Sequence, residues 1–501
     1  MSNWANLDKA MFRKVFLIVS LGALLAVLIV PLQPFTPAYA EEPEPECWAA
    51  IIGVPAQRLA LRSFIDAEGN AYPLGVKYPD DSARDLARRL SSVWGEDHVR
   101  LLLNGEATKA DIYYAIKWLA EMADADDTVL FYFCGHGYLA PCGHLSYLPI
   151  PEYVPRDTVS VYLCAYDIEI SDEELDKWLS RLDSESVVVI LDICYAGSFS
   201  KKLSQDGRVV MMSCEPEESS WESRELKHGV FTHYILQALS SFDVADTNYD
   251  YELSAEEVFD YAKPRTVDEV IAPYANVPVV EDKQHPMLYD SRYSEELGLL
   301  MRVVFRADAR FSPDTAVLTV DGRSHLSGEL PASFTWAVGS VHEFAVPSEV
   351  DTAKGTRLVF TSWDDGDTSV SRTVSRGGEY TAEYQTQHLL TIESAYGDPD
   401  GAGWYDSGST ATISVSASEG TIVRRVFAGW SGDFAGPEAA ALVTMDAPKA
   451  VTANWRTDYL RLYILIAGVM ALVGAAVSAY ILRNRLAWWR SRLRGQRGQD
   501  E

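Results

Sequence analysis

Basic residues are scarce in this chain: 43 Lys and Arg stand against 72 Asp and Glu, a formal charge of −29. The deficit is uneven. Residues 1–40 carry +2 and residues 459–501 carry +5, which leaves the body between them near −36. Such a surface argues against a nucleic-acid partner, because phosphate backbones are held by clustered cations. It suits divalent cations or basic substrates, and equally plain solubility or adaptation to salt. Cysteine is sparse as well, with six residues and no CxxC spacing, so no metal knuckle is encoded. Setting Cys194 aside as reactive leaves an odd five, hence at least one further free thiol; Cys142 and Cys164, which flank one loop region, are the chosen pair if a disulfide forms. A hydrophobic content of 48% is enough for real cores, so extensive disorder is excluded too.

Long uninterrupted apolar runs occur twice, one near each end. Lys9, Arg13 and Lys14 precede an apolar run at 15–30, and Ala38-Tyr39-Ala40 supplies a small-x-small cleavage site. Sixteen apolar residues are short for a span, so residues 1–40 are expected to be a signal peptide cleaved after Ala40. Residues 462–482 form an uncharged stretch followed by Arg483, Arg485, Arg490, Arg492, Arg494 and Arg497, with Trp488 and Trp489 alongside. That pattern predicts one transmembrane helix and a basic cytoplasmic tail at 483–501, with the body outside the cell membrane. A removable sorting tail is disfavoured, since 19 residues follow the apolar stretch and no sorting motif precedes it.

Two short segments carry the chemistry: TVLFYFCGHG at 128–137 and VVVILDICYAGSF at 187–199. Val129–Phe133 and Val187–Leu191 are β-branched and aromatic runs of the kind buried on both faces of a parallel sheet. His136 and Cys194 follow these strands directly. Ligands in open α/β sheets bind beyond the carboxyl ends of the strands, so two residues 58 positions apart can converge there. A thiol needs a basic neighbour to take its proton and return it to the leaving group, and His136 and Cys194 divide that work. Gly135, Gly137 and Gly197 are expected to allow tight turns.

The order His-Gly, then Asp-x-Cys-Tyr-Ala-Gly-Ser-Phe, resembles the caspase, metacaspase and legumain clan of cysteine peptidases over 47–290. GluSerSerTrp at 218–221 and HisGlyValPheThr at 228–232 are similar to the clan's segments after the nucleophile. The resemblance implies an α/β fold, a caspase-like three-layer α/β/α sandwich, with the backbone N–H groups of Gly137 and Cys194 as an oxyanion hole. It also implies a primary specificity pocket holding Asp192, two residues before the nucleophile. Asp81 matches a metacaspase pocket acid and Ser219 a legumain pocket serine, although Asp81 serves equally as a solvated helix cap. Cys134 stands where metacaspases usually carry Ser. An acidic pocket favours cleavage after Arg or Lys; a legumain-like preference for Asn, transfer of the acyl group to an amine, and a catalytically inactive surface binding protein remain open alternatives. A peptide or protein is the expected partner, with no organic cofactor.

Elsewhere the pattern alternates helix and strand. Trp48–Val54 reads as the first strand; Thr108 with Asp111 and Ser171 with Glu174 read as capping boxes. Ile112, Ile116, Leu119 and Met122 form the apolar stripe of the helix after Thr108, and Leu175, Trp178, Leu179 and Leu182 that of the helix after Ser171. Val209–Ser213 is a further strand and Val230–Leu239 a further helix. Residues 246–257, DTNYDYELSAEE, have Asp246, Asn248, Asp250, Glu252 and Glu257 at calcium-loop spacing, with Leu253 at the usual apolar position. Tyr251 replaces the customary Gly, and the competing reading is an acidic turn before a helix capped by Ser254. Beyond Asp290 the helical period stops and short alternating strands take over. FTSWDDGD at 360 returns as FAGWSGDF at 427, and YTAEY at 380 as VTANW at 451, with the tryptophans 67 positions apart. Two all-β modules at 303–386 and 387–457 are expected, similar to the divergent β repeats of microbial surface proteins and read as spacer or adhesive units.

Overall fold

The computed structural model describes residues 44–55, 63–65, 71–73, 76–141, 159–269, 283–292 and 295–496. The signal peptide expected at 1–40, and Cys142 with its expected pairing, lie outside them.

Six strands build the central sheet, interleaved with five helices. In chain order they are β1 (Cys47–Gly53), α1 (Pro79–Trp94), β2 (Val99–Leu103), α2 (Lys109–Met122), β3 (Thr128–Cys134), α3 (Asp172–Leu179), β4 (Ser186–Asp192), β5 (Arg208–Met212), α4 (Val230–Ser240), β6 (Glu252–Ser254), α5 (Ala255–Asp268) and β7 (Met287–Asp290), where β6 belongs to a different sheet. The order across the central sheet is β7-β5-β4-β3-β1-β2, parallel except for the antiparallel edge strand β7.

Period-two alternation divides each central strand between two cores. Leu130, Tyr132, Val188 and Ile190 face one side with Leu86 and Leu90 of α1, Phe231 and Ile235 of α4, and Val258 and Phe259 of α5. Val129, Phe131, Val187 and Val189 face the other with Ile112, Ile116 and Leu119 of α2, and Leu175 and Leu179 of α3. Each fully buried side chain of this size stabilises the fold by about 1.5–3 kcal/mol, which is why the middle of β3 and of β4 is apolar on both faces. The result is the three-layer α/β/α sandwich.

Both expected capping boxes form. The Thr108 and Ser171 side chains accept the N–H groups of Asp111 and Glu174, while those carboxylates reach back to the cap backbone. Met122, assigned to the apolar stripe of α2, is 43% exposed, because it sits in the last turn where the helix has passed the edge of the sheet.

The β region is continuous with the sandwich. β6 pairs antiparallel with β8 (Gly298–Ala307), so a strand from inside the α/β domain opens the ten-stranded sheet of the C-terminal region. Leu297, Leu299, Leu300 and Ala337 share a core with α1, and the Trp94 indole donates to the Leu299 carbonyl at 3.1 Å. The boundary expected at 386/387 falls inside one strand, β9 (Gly378–Ser394). That strand runs parallel to β8 on one side and to β11 (Lys449–Asp458) on the other, and β10 (Arg424–Gly432) pairs with β11. Trp363 stands opposite Ala382, and Trp430 opposite Ala453. Each buried indole donates at 2.9 Å to a carbonyl of the following loop, that of Ser369 or Glu438. The chain closes in α6 (Leu460–Gln496), whose apolar stretch is unburied and which is long and apolar enough to cross a membrane.

Arg208, 5% exposed, pins the helical layer to the start of β5. Its guanidinium donates to Asp176 at 2.7 Å, to the Ser180 hydroxyl at 3.0 Å and to the Leu203 carbonyl at 3.4 Å. Asp176→Ala leaves that cation buried without a counter-charge and should cost about 3–5 kcal/mol. The urea midpoint measures it, and an unchanged midpoint would show that solvent reaches the guanidinium.

Candidate active site

Register aligns the strands that lead to His136 and Cys194. β3 and β4 pair in parallel from Thr128↔Ser186 to Cys134↔Asp192, a constant offset of 58, and His136 and Cys194 follow at the same offset. The ladder continues past the strands, since the Gly135 N–H donates to the Asp192 carbonyl at 3.3 Å. A Cβ on Gly137 would collide with the Cys194 carbonyl oxygen and with Ile193. The glycines expected to make turns have a different task here. Gly135, Gly137 and Gly197 all have ordinary φ, and the left-handed residue is Tyr195 (φ 66°), directly after the nucleophile. Gly137 and Gly197 are needed because another backbone, or Pro216, lies against their Cα. For a bulky aromatic residue the left-handed conformation costs roughly 1–2 kcal/mol, and it turns the chain sharply away after Cys194.

Each partner is held by its surroundings. The His136 Nε2 accepts the Val76 N–H at 3.4 Å, and its carbonyl accepts the Cys164 N–H at 3.0 Å. The Cys194 thiol donates to the Ser220 carbonyl at 3.8 Å. Burial pushes this thiol above its ordinary value; contacts with Ser220 and Ser219 oppose the shift, and the Asp192 charge adds to it. The turn after the nucleophile is tied to the neighbouring segment, with the Tyr195 N–H on the Glu218 carbonyl at 2.8 Å and the Gly197 N–H on the Cys214 carbonyl at 2.9 Å.

Of the expected pocket residues, Asp192 and Ser219 lie beside Cys194. Asp192 is 3% exposed, and its carboxylate accepts the Ser220 hydroxyl at 2.6 Å, the Thr232 hydroxyl at 2.6 Å and the Thr232 N–H at 3.2 Å. Burial raises its pKa while those three donors hold it down. Asp81 is exposed in the first turn of α1, beside Asp80, where a carboxylate complements the helix dipole. Cys134 is buried, and desolvation with the charges of Asp192 and Glu222 drives its thiol far up, which makes it inert.

Three supports escaped sequence reasoning. Glu222, the residue after the GluSerSerTrp segment, accepts the backbone N–H groups of Lys77 (2.8 and 3.1 Å) and Tyr78 (2.8 Å). It thereby ties down the same short segment whose Val76 reaches His136. Gln284, 1% exposed, accepts the Trp221 N–H at 3.0 Å and donates to the Ser213 carbonyl at 2.8 Å and the Ser220 hydroxyl at 3.1 Å. Thr232 closes the network, its hydroxyl 2.8 Å from that of Tyr132. Glu222 stands next to one quoted segment and Thr232 ends another, HisGlyValPheThr, but neither role is legible from them; a lone Gln carries no signal.

The acidic loop at 246–257 spends its carboxylates on its own backbone. Asp246 accepts the N–H groups of Tyr249 (2.7 Å) and Tyr251 (3.2 Å), and Asp250 that of Glu252 (2.8 Å). Glu257 accepts from Thr247 at 2.7 Å on one oxygen and from Ser254 at 3.2 Å on the other, completing the capping box of α5. Among the described residues no group of three or more His, Cys, Asp or Glu side chains is arranged to hold a metal.

Because burial disfavours the thiolate, Cys194 rests as a neutral thiol near pH 7. Alkylation by iodoacetamide, mapped by mass spectrometry, should therefore still be rising above pH 8. A plateau reached by about pH 6 would mean a preformed thiolate.

Residues 70–297 match the family model of the caspase domain, which begins after β1 and ends at the approach to β8. Among solved structures, a protein from Geobacter sulfurreducens shares 17% identity, with 49% of this chain and 93% of the other aligned at a TM-score of 0.34. Caspase-1 from Spodoptera frugiperda shares 14% identity, with 49% and 86% aligned at the same TM-score. No curated protein matches the chain. The sheet, its two helical layers and the family match mark residues 70–297 as a caspase-like domain.

Proposed function

We propose that this protein is a membrane-anchored, externally facing cysteine endopeptidase that cleaves after Arg or Lys, with Cys194 as nucleophile and His136 as general base and acid. The observation that supports the reading is the shared offset, by which the segments carrying the two residues leave adjacent parallel strands at matching positions. In this reading the thiol gives its proton to His136 as sulfur attacks the scissile carbonyl, the leaving amine takes that proton, and water then releases the acyl group. The amides of Gly137 and Cys194 are assigned to the oxyanion.

The preference for a basic residue is supported by charge. The charges of Asp192 and Glu222 both reach the buried Cys134 at the end of β3, which in this reading makes the base of the site negative. A cationic side chain gains a counter-charge there, whereas a substrate carboxylate would meet like charge in a desolvated setting. Asp192 is committed to Ser220 and Thr232, so in this reading it acts through the field it sets and through the Ser219–Ser220 wall it holds.

A peptide library varied only at the residue before the cut tests both parts. Arg or Lys should rank first, and Cys194→Ala and His136→Ala should lose about 10³-fold or more of turnover, as members of a unit do. Retained turnover in Cys194→Ala would sink the dyad. Asn on top would move the protein to the legumain branch, and Asp on top would refute the acidic pocket.

Calcium at 246–257 remains part of the proposal on the spacing of Asp246, Asn248, Asp250, Glu252 and Glu257; Glu257 would have to release Thr247, whereas the Asp246 oxygens each hold one amide and keep a lone pair for a cation. Calcium should then raise the melting temperature, and Glu257→Gln should blunt that rise. A melting temperature indifferent to calcium in both proteins would leave an acidic turn.

A further inference from the structure

The hairpin that opens β10 ends in an apolar tip with cations behind it. Ser418 and Glu419 pair with Val426 and Arg425, so residues 420–424 form the turn, which Gly420 (φ 91°) bends. At its tip Ile422 is 47% and Val423 40% exposed, adjacent apolar residues in a body whose surface is otherwise strongly acidic. Arg424 and Arg425 follow at once. Their guanidiniums are engaged by neutral oxygens, Arg424 with the Ser418 hydroxyl and Arg425 with the Thr457 hydroxyl, so both charges stay uncompensated by these contacts.

Register fixes the height of this tip. Arg424 stands opposite Asp458 in the antiparallel β10–β11 pair, and β11 leads into α6 at Leu460. Residues before Arg424 therefore continue in the direction in which the chain enters the helix, which brings Val423 and Ile422 level with Tyr459 and Leu460. A direct contact agrees, since the Arg461 guanidinium donates to the Thr421 carbonyl at 3.4 Å. Tyr459 and Tyr463, both exposed, lie where the aromatic belt of a span would sit.

We propose that the 420–425 hairpin is a second membrane contact, with Ile422 and Val423 inserted at the interface of an anionic bilayer and Arg424, Arg425 and Arg461 at its headgroups. This rests on α6 spanning the membrane. Apolar residues backed by cations are the pattern of interfacial anchors, and each cation near an anionic surface adds attraction. The acidic body is repelled by the same surface, so the hairpin is the part of the module that charge draws downward. Two contacts fix the tilt of the β region, which a single helix would leave free to swivel.

The test uses the full chain reconstituted in phosphatidylcholine bilayers with and without phosphatidylglycerol, in a background with Cys142 and Cys194 replaced by Ala; Cys47, Cys134, Cys164 and Cys214 are buried. An environment-sensitive fluorophore is placed at Val423→Cys, at Ile422→Cys as an independent site, at Met470→Cys within α6, and at Ser407→Cys. Ser407 follows Asp406, which is level with Gln387 at the far end of the second module. Lipids spin-labelled near the headgroup should quench the probes at 422 and 423 several-fold more than the probe at 407. Phosphatidylglycerol should strengthen that quenching, and Arg424→Ser with Arg425→Ser should weaken it. Probes at 422 and 423 quenched no more than the one at 407, while Met470→Cys is quenched by deep labels, would overturn the hairpin contact and leave the span standing. Loss of quenching at Met470→Cys as well would overturn both.

Discussion

The parallel pairing of β3 with β4 is the constraint on which the rest of the site depends. Seven registered pairs, from Thr128↔Ser186 to Cys134↔Asp192, are held by ladder hydrogen bonds and by apolar side chains buried on both faces. A slip of one residue would turn every side chain to the opposite core, so the register is strongly specified. His136 and Cys194 inherit that precision without spending any contacts of their own on meeting. Only small residues fit where the two segments leave the sheet still touching, which explains Gly137 against the Cys194 carbonyl.

Around this pair the polar groups are organised as one network and not as separate ligands. Asp192 joins Ser220 to Thr232, Thr232 joins Tyr132, and Gln284 joins Ser220 to Trp221 and Ser213. A buried carboxylate is tolerated only when its oxygens are satisfied, and here three donors meet it. Glu222 does the same at the rim, drawing the amides of Lys77 and Tyr78 toward the strand that follows Trp221. Three stretches of chain distant in sequence are thereby locked around one cysteine.

The caspase-like domain and the β region share material. β6 lies inside the first by sequence and inside the second by hydrogen bonding, and Leu300 and Ala337 belong to the same core as α1. The acidic loop at 246–257 contains that joint, with the Tyr251 carbonyl accepting the Arg302 N–H at 2.8 Å. β9 then passes through both β modules as one strand of 17 residues. The chain from the sheet to α6 is built as a continuous lever, not as beads on a string.

Local chemistry determined a great deal by itself. Two-sided apolar runs announced β3 and β4, the Thr108 and Ser171 boxes announced α2 and α3, and a 21-residue uncharged stretch announced α6, because each of these is a short-range pattern with one stable outcome. The pairing of the strands that precede His136 and Cys194 was legible for the same reason, as both are runs of one type at one offset. Tertiary structure alone decided the rest. It buried Asp192 against Thr232, left Asp81 on the surface, recruited Glu222 and Gln284, exposed Met122, and moved the glycines' task from turning to close packing. It also ran one strand through an expected domain boundary. These outcomes depend on which distant segments come to lie against each other, and side-chain satisfaction is settled only once those neighbours are in place.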